Sequence, residues 1–288
     1  MLNKAAVGCA IWFSTRRKLR IALGFKGRQP KWPPQSFDAT VAHQAELASF
    51  LLKHLPAEWS FAGRTACEVG CSDCFSLASL LIRLGCKHVD LIEPSPPILN
   101  PLQPRVLREV QHKGVDLDPT ILIEGAGGVC LDETKVTYRN TLMEQAPLAE
   151  AYDFIFSFDV MEHVEDLQGC YGSCSRALKK GGGRMFHRID FSGHGDLEDP
   201  VPPLDFQTYP DWLYSLMSPR AYRATRSFVS DHHFALKNAG LQVDETRVTR
   251  SADPQYLENI WPKLRKQARA IPKPELGVLE AIIFSHKE

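Results

Sequence analysis

Net charge is the first thing this chain lacks. Its 288 residues carry 34 Lys and Arg against 34 Asp and Glu. Neutralising a phosphate backbone needs a basic face, so a balance at zero argues against nucleic acid as the main partner. A long apolar run is also missing. Residues 5–13 are apolar but too few to span a bilayer, and Arg16-Arg17-Lys18 follow that run instead of preceding it, which excludes a secretory signal. No internal repeat or low-complexity tract occurs. Acids are absent from residues 1–37, which hold eight Lys and Arg and leave 26 basic against 34 acidic residues for the rest. Residues 1–36 therefore read as a basic amphipathic arm, closed by the linker Lys31-Trp32-Pro33-Pro34. Such an arm suits peripheral contact with an anionic membrane or an acidic partner, and a solvated arm lying on the domain fits the same composition.

What is present is ordinary for a globular chain: 44% hydrophobic and 24% charged residues, enough for one sizeable α/β core with an elaboration or for two small domains. Eight cysteines, three of them around one turn, suit reduced thiols in the cytoplasm better than a secreted disulfide framework.

The chain is organised around residues 64–95. Thr65–Val69 is a short apolar strand, Gly70-Cys71-Ser72-Asp73-Cys74 are small enough for a tight turn, residues 75–84 have apolar positions at helical spacing, and residues 89–92 form a second strand. A turn of this kind brings backbone N–H groups close to a ligand, and an acid ending the second strand accepts hydrogen bonds from ribose hydroxyls. Glu93, 23 residues after Gly70, is that acid. Glycine is scarce here, however. The turn reads Gly-x-Ser-x-Cys, which would crowd a pyrophosphate and favours a nucleoside ligand without phosphates.

Glu68-Val69-Gly70-Cys71-Ser72-Asp73-Cys74 with Leu91-Ile92-Glu93-Pro94 resembles the first motifs of the class I S-adenosylmethionine-dependent methyltransferases, with two of three glycines replaced. A second stretch, residues 152–183, carries a buried strand ending at Asp159, then Glu162-His163-Val164 and Arg176-Ala177-Leu178-Lys179-Lys180-Gly181-Gly182, and resembles the fourth to sixth motifs of the same family. The resemblance spans residues 60–190. It implies an α/β, Rossmann-like, doubly wound sheet of seven mostly parallel strands, helices on both faces, and an antiparallel last strand. It implies S-adenosyl-L-methionine as cofactor, held by Glu68, Gly70, Cys71, Ser72, Glu93, Asn140, Ser157, Phe158 and Asp159, with Glu162 and His163 behind them. A rival uses the same letters: Cys67, Cys71 and Cys74 have the C-x3-C-x2-C spacing of radical S-adenosylmethionine enzymes, whose thiolates hold an iron–sulfur cluster. A non-catalytic methyltransferase-like binding domain is the third reading.

The remaining elements follow from periodicity. Residues 37–55 and 98–114 read as helices, 121–130 as a short strand and flexible turn in an insertion, 135–140 as the third strand, 161–178 as a helix and 184–189 as a strand. A helix over 227–239, a strand over 241–249, a helix over 256–269 and a strand over 278–285 complete seven strands. The organisation expected is a cofactor-binding core over 37–190, a proline- and aromatic-rich lid or substrate wall over 191–240, and C-terminal elements over 241–288. Methyl transfer to a hydroxyl must also remove a proton, which suits a histidine. His187, Asp190 and His194, where a strand leaves the sheet, are the candidate catalytic group for a small-molecule or sugar acceptor, with no resident metal assigned.

Overall fold

The computed structural model describes residues 36–71, 74–97, 99–193, 202–217 and 224–288. Residues 1–35 of the basic arm, Ser72 and His194 lie outside the described residues. Helix α1 (Phe37–His54) opens with the Ser36 hydroxyl accepting the Ala39 N–H at 3.2 Å. Then come β1 (Thr65–Val69), α2 (Ser76–Arg83), β2 (His88–Ile92) and α3 (Leu102–His112). A hairpin follows, β3 (Leu122–Gly125) with β4 (Gly128–Leu131), and after it β5 (Val136–Arg139), β6 (Phe154–Phe158), α4 (Leu167–Ala177) and β7 (Arg184–Asp190). The rest is α5 (Asp211–Met217), α6 (Val229–Asn238), β8 (Gln242–Ser251), α7 (Pro254–Ile260), two single-turn helices, and β9 (Val278–His286).

Seven strands form one sheet in the order β5-β2-β1-β6-β7-β9-β8. The pairs among β5, β2, β1, β6 and β7 are parallel, and β9 runs antiparallel between β7 and β8. The inner strands β1, β2 and β6 are almost wholly buried because helices cover both faces, whereas β5 at the edge buries only its first residue. On one face Ala66, Phe154, Phe156 and Phe186 pack with Leu47 and Leu51 of α1 and Leu77 and Leu80 of α2. On the other, Cys67, Val69, Ile155, Met185 and Ile189 pack with Tyr171 and Cys174 of α4 and Leu236 of α6. A third cluster joins Leu204 and Phe206 to Phe228, Ile260, Leu264 and Leu279, so the segment after β7 rests on the C-terminal helices.

The fold class is as expected, with three local corrections. Residues 121–130 belong to a separate two-stranded sheet. The helix expected over 161–178 is a single 3-10 turn, Met161–His163, followed by α4, because Asp166 caps the new start by accepting the Gly169 N–H at 2.8 Å. The helix expected over 256–269 is broken after Ile260, where Pro262 cannot continue the backbone ladder.

At the amino ends of the strands Asp153 ties three elements together. Its carboxylate accepts the Thr65 N–H at 2.9 Å, Lys179 Nζ at 2.7 Å and Arg64 Nη1 at 3.0 Å. Burial opposes its ionisation, yet the Lys179, Thr65 and Arg64 donors hold its pKa down to about 2. Asp153→Asn keeps the shape and removes the charge, and should lower stability by about 2 kcal/mol in urea unfolding at neutral pH, the loss expected for charge-assisted bonds to partly exposed donors. An unchanged midpoint would show that the cluster is solvated and of no consequence.

Candidate functional site

The carboxyl ends of β1, β2, β5 and β6 meet on one rim, the crevice where open α/β sheets take ligands. The chain leaves β1 through Gly70, whose φ of +72° is left-handed and whose N–H donates to the Ile92 carbonyl at 2.8 Å. A Cβ there would stand 2.3 Å from Val160 Cγ2, so the position accepts only glycine. The hydrogen bond to Ile92 sets Glu93 beside the turn. Glu93 Oε1 accepts the Ser95 N–H at 3.0 Å, its N–H donates to the Arg139 carbonyl at 3.1 Å, and its carbonyl accepts from Asn140 Nδ2 at 3.2 Å. Gly70, Glu93 and Asn140, far apart in sequence, thus come together. Cys71 is half-buried beside Gly70, and Glu68 is buried one strand residue below Val69.

After β6 the chain again turns left-handed, at Asp159 with φ 54°. Its N–H donates to the Arg188 carbonyl at 3.1 Å and its Oδ1 lies 3.4 Å from Arg188 Nε. Phe158 is buried, stacked on Phe186 at 5.4 Å. Ser157 does not face the rim: its hydroxyl is fully buried against His187 Nδ1 at 2.8 Å, which corrects its expected place against a cofactor.

Helix α1 packs beside the turn, the place expected for a helix over residues 37–55, and it brings with it a residue that the sequence did not single out, His43. The buried Gln44 amide of α1 accepts a short hydrogen bond from the Ser76 hydroxyl, which ties α1 to the start of α2, the helix that follows the Gly70 turn. His43, next to Gln44, is half-buried and within the electrostatic reach of Arg188, with its pKa lowered by burial and then by Arg188, against the opposing pull of Glu46. Two turns down the same face of α1, Phe50 receives the Arg188 guanidinium at 4.6 Å. An i, i+3, i+7 pattern of His43, Glu46 and Phe50 was the available signal.

The methyltransferase-domain family matches residues 41–246. The chain belongs to that family. A search of the curated proteins finds no match. Among solved structures, this methyltransferase is similar to geranyl diphosphate C-methyltransferase from Streptomyces coelicolor A3(2), at 17% identity and TM-score 0.50 over 89% of this chain and 86% of that one. It is also similar to an S-adenosylmethionine-dependent methyltransferase from Mesorhizobium loti, at 14% identity and TM-score 0.48 over 85% of this chain and 99% of that one. These likenesses are of fold: a seven-stranded, mostly parallel, Rossmann-like sheet. The thiols of the methyltransferase argue against the iron–sulfur reading by geometry, since Cys67 packs on one face of the sheet and Cys74 on the other.

Of the group expected to be catalytic, His194 lies outside the described residues, and His187 and Asp190 do not come together. His187 is 0% exposed because it stands in line with Met185 and Ile189 on the face of β7 that α4 and α6 cover, so it cannot reach an acceptor. Asp190 does not orient it: that carboxylate accepts from the Ser192 N–H at 2.8 Å, the Ser192 hydroxyl at 2.6 Å and Arg250 Nη2 at 2.8 Å. His187 belongs instead to a buried polar row. Next to it the Tyr171 hydroxyl meets His232 Nδ1 at 2.9 Å, and His232 Nε2 meets the Ser227 hydroxyl at 3.1 Å.

Burial pushes both His187 and His232 down to about 3. That lies below the ordinary value of about 6.5, so as pH falls from 6.5 toward 3 the unfolded chain takes up protons that the folded chain refuses. The stability these histidines leave intact above pH 6.5 is therefore lost on acidification, by about 2 kcal/mol per histidine at pH 5. Urea unfolding of wild type and His187→Asn at pH 7 and pH 5 checks this: the variant should lose less on acidification, and equal losses would show that His187 titrates normally.

Proposed function

We propose that the protein is a cytoplasmic S-adenosylmethionine-dependent enzyme that methylates a hydroxyl of a small molecule or sugar. The observation that carries the reading is the meeting of Gly70, Glu93 and Asn140 on one rim. Glu93 accepts the Ser95 N–H at the end of β2, and a carboxylate there has the acceptor chemistry that a pair of ribose hydroxyls requires. Gly70, with Cys71 beside it, gives the close backbone approach that a nucleoside and its amino-acid tail require. Asn140 borders the base, and Asp159 and Phe158 close the side toward β6. The cofactor supplies a methyl group on a sulfonium. The chain's task is to hold the acceptor oxygen in line and receive its proton.

In this reading residues 37–190 hold the cofactor, 191–240 wall the acceptor site, 241–288 complete the sheet, and the basic arm 1–36 makes peripheral contact with an anionic surface. The proton passes to His43 on α1 or His163 on the 3-10 turn after β6, both half-buried at this end of the sheet. His163 Nε2 lies 4.0 Å from the buried Glu162 carboxylate.

Glu93→Ala should weaken S-adenosylmethionine binding at least tenfold in calorimetry, about 1.4 kcal/mol, the low end of a charge-assisted pair of bonds. Unchanged affinity would sink the ribose assignment, and binding without turnover on any acceptor would favour a non-catalytic domain. One of His43→Gln and His163→Gln should lower turnover about 10²-fold with cofactor affinity kept. Full turnover in both would mean that neither histidine serves as the base.

A further inference from the structure

Between the segment after β7 and the C-terminal helices lie two guanidiniums that the cofactor site does not use. The Arg226 side chain is 4% exposed. Its Nη1 donates to the Tyr209 carbonyl at 2.9 Å and to Asp211 Oδ1 at 3.0 Å, and its plane lies 3.8 Å from the Tyr214 ring centroid. Its Nε and Nη2 are buried and have no hydrogen-bond partner. Arg265 stands against it: Nε donates to the buried Gln207 amide oxygen at 2.8 Å, Nη2 to the Arg226 carbonyl at 3.2 Å, and Nη1 lies 3.8 Å from the same Asp211 oxygen.

Both guanidiniums lie against the one carboxylate Asp211, which meets only Nη1 of each, and Asp231 is the other acid acting on Arg265. A buried cation with two unfilled donors is among the least favourable arrangements in a protein interior. The backbone is strained at the same residue, with φ +64° on a non-glycine, and strain of this kind collects at ligand clamps. Asp211 is 70% exposed, so the cluster opens to solvent past it. Thr225, one residue before Arg226, donates its N–H to the Glu162 carbonyl at 2.7 Å, which fastens the cluster to the turn after β6.

We propose that Arg226 and Arg265 form an oxyanion site, in which the Nε–Nη2 edge of Arg226 grips two oxygens of a ligand's carboxylate or phosphate and Arg265 supplies the second positive charge. The site is separate from the nucleoside crevice and stands whether or not the acceptor is a hydroxyl.

The test titrates inorganic phosphate, and separately acetate, into the full chain by calorimetry, and compares thermal midpoints with chloride at equal ionic strength. Wild type should bind at least one of the two and gain about 2 to 4 °C under near-saturating anion. A response to phosphate alone identifies a phosphorylated ligand, and a response to acetate alone a carboxylate. Arg265→Gln should weaken the anion about tenfold or more, and Arg226→Lys, which keeps the charge but loses the fork, should do the same, each checked for a wild-type circular dichroism spectrum. Absence of binding of either anion to wild type overturns the proposal. So does undiminished binding in a folded variant.

Discussion

The absence of a side chain at Gly70 is the constraint on which the crevice depends. The backbone there must turn left-handed to leave β1, which costs an ordinary residue about 1–2 kcal/mol, and Val160 from the loop after β6 fills the space a Cβ would need. Two loops far apart in sequence are thereby pressed together, and the hydrogen bond from Gly70 to Ile92 carries the constraint on to Glu93. The glycines replaced further along the turn are compensated locally. Cys74 buries its thiol in the core, and Phe75 takes up the left-handed backbone just before α2 while burying its ring.

Beyond the crevice the rim is held by charge. Arg188 stands between Glu280, bound at 2.9 and 3.1 Å, and Asp159, and Glu280 also takes the Thr249 hydroxyl. Arg250 joins β8 to the end of β7 through Asp190 and Ser192. These contacts bind β9 and β8 to the parallel strands at the level where ligands enter.

Much of this was legible in the residues. Apolar runs marked β1 and β6 at the middle of the large sheet, and the interval from Gly70 to Glu93 marked the crevice, because both depend on local order along the chain. What escaped depends on facing. His187, Asp190 and His194 read as one strand-end group by proximity, yet a strand alternates its sides, and His187 shares the core side with Met185 and Ile189. Asp166 and Pro262 carried the signals for the two broken helices, and helical spacing of apolar residues on either side masked them. Arg226 and Arg265 meet only through the packing of the C-terminal helices, and no spacing along the chain announces them.

The place of β9 inside the sheet bears on how the chain reaches this state. Strands β7 and β8 make no ladder with each other and are joined only through β9, which pairs Asp190 with Glu280, ninety residues later. Closing that gap confines a long stretch of chain before any ladder bond rewards it, so this half of the sheet forms late and slowly. Until then β7 presents an open edge, with Phe186 and Met185 on its faces, and the interval before β9 docks is when the chain is most exposed to misassociation.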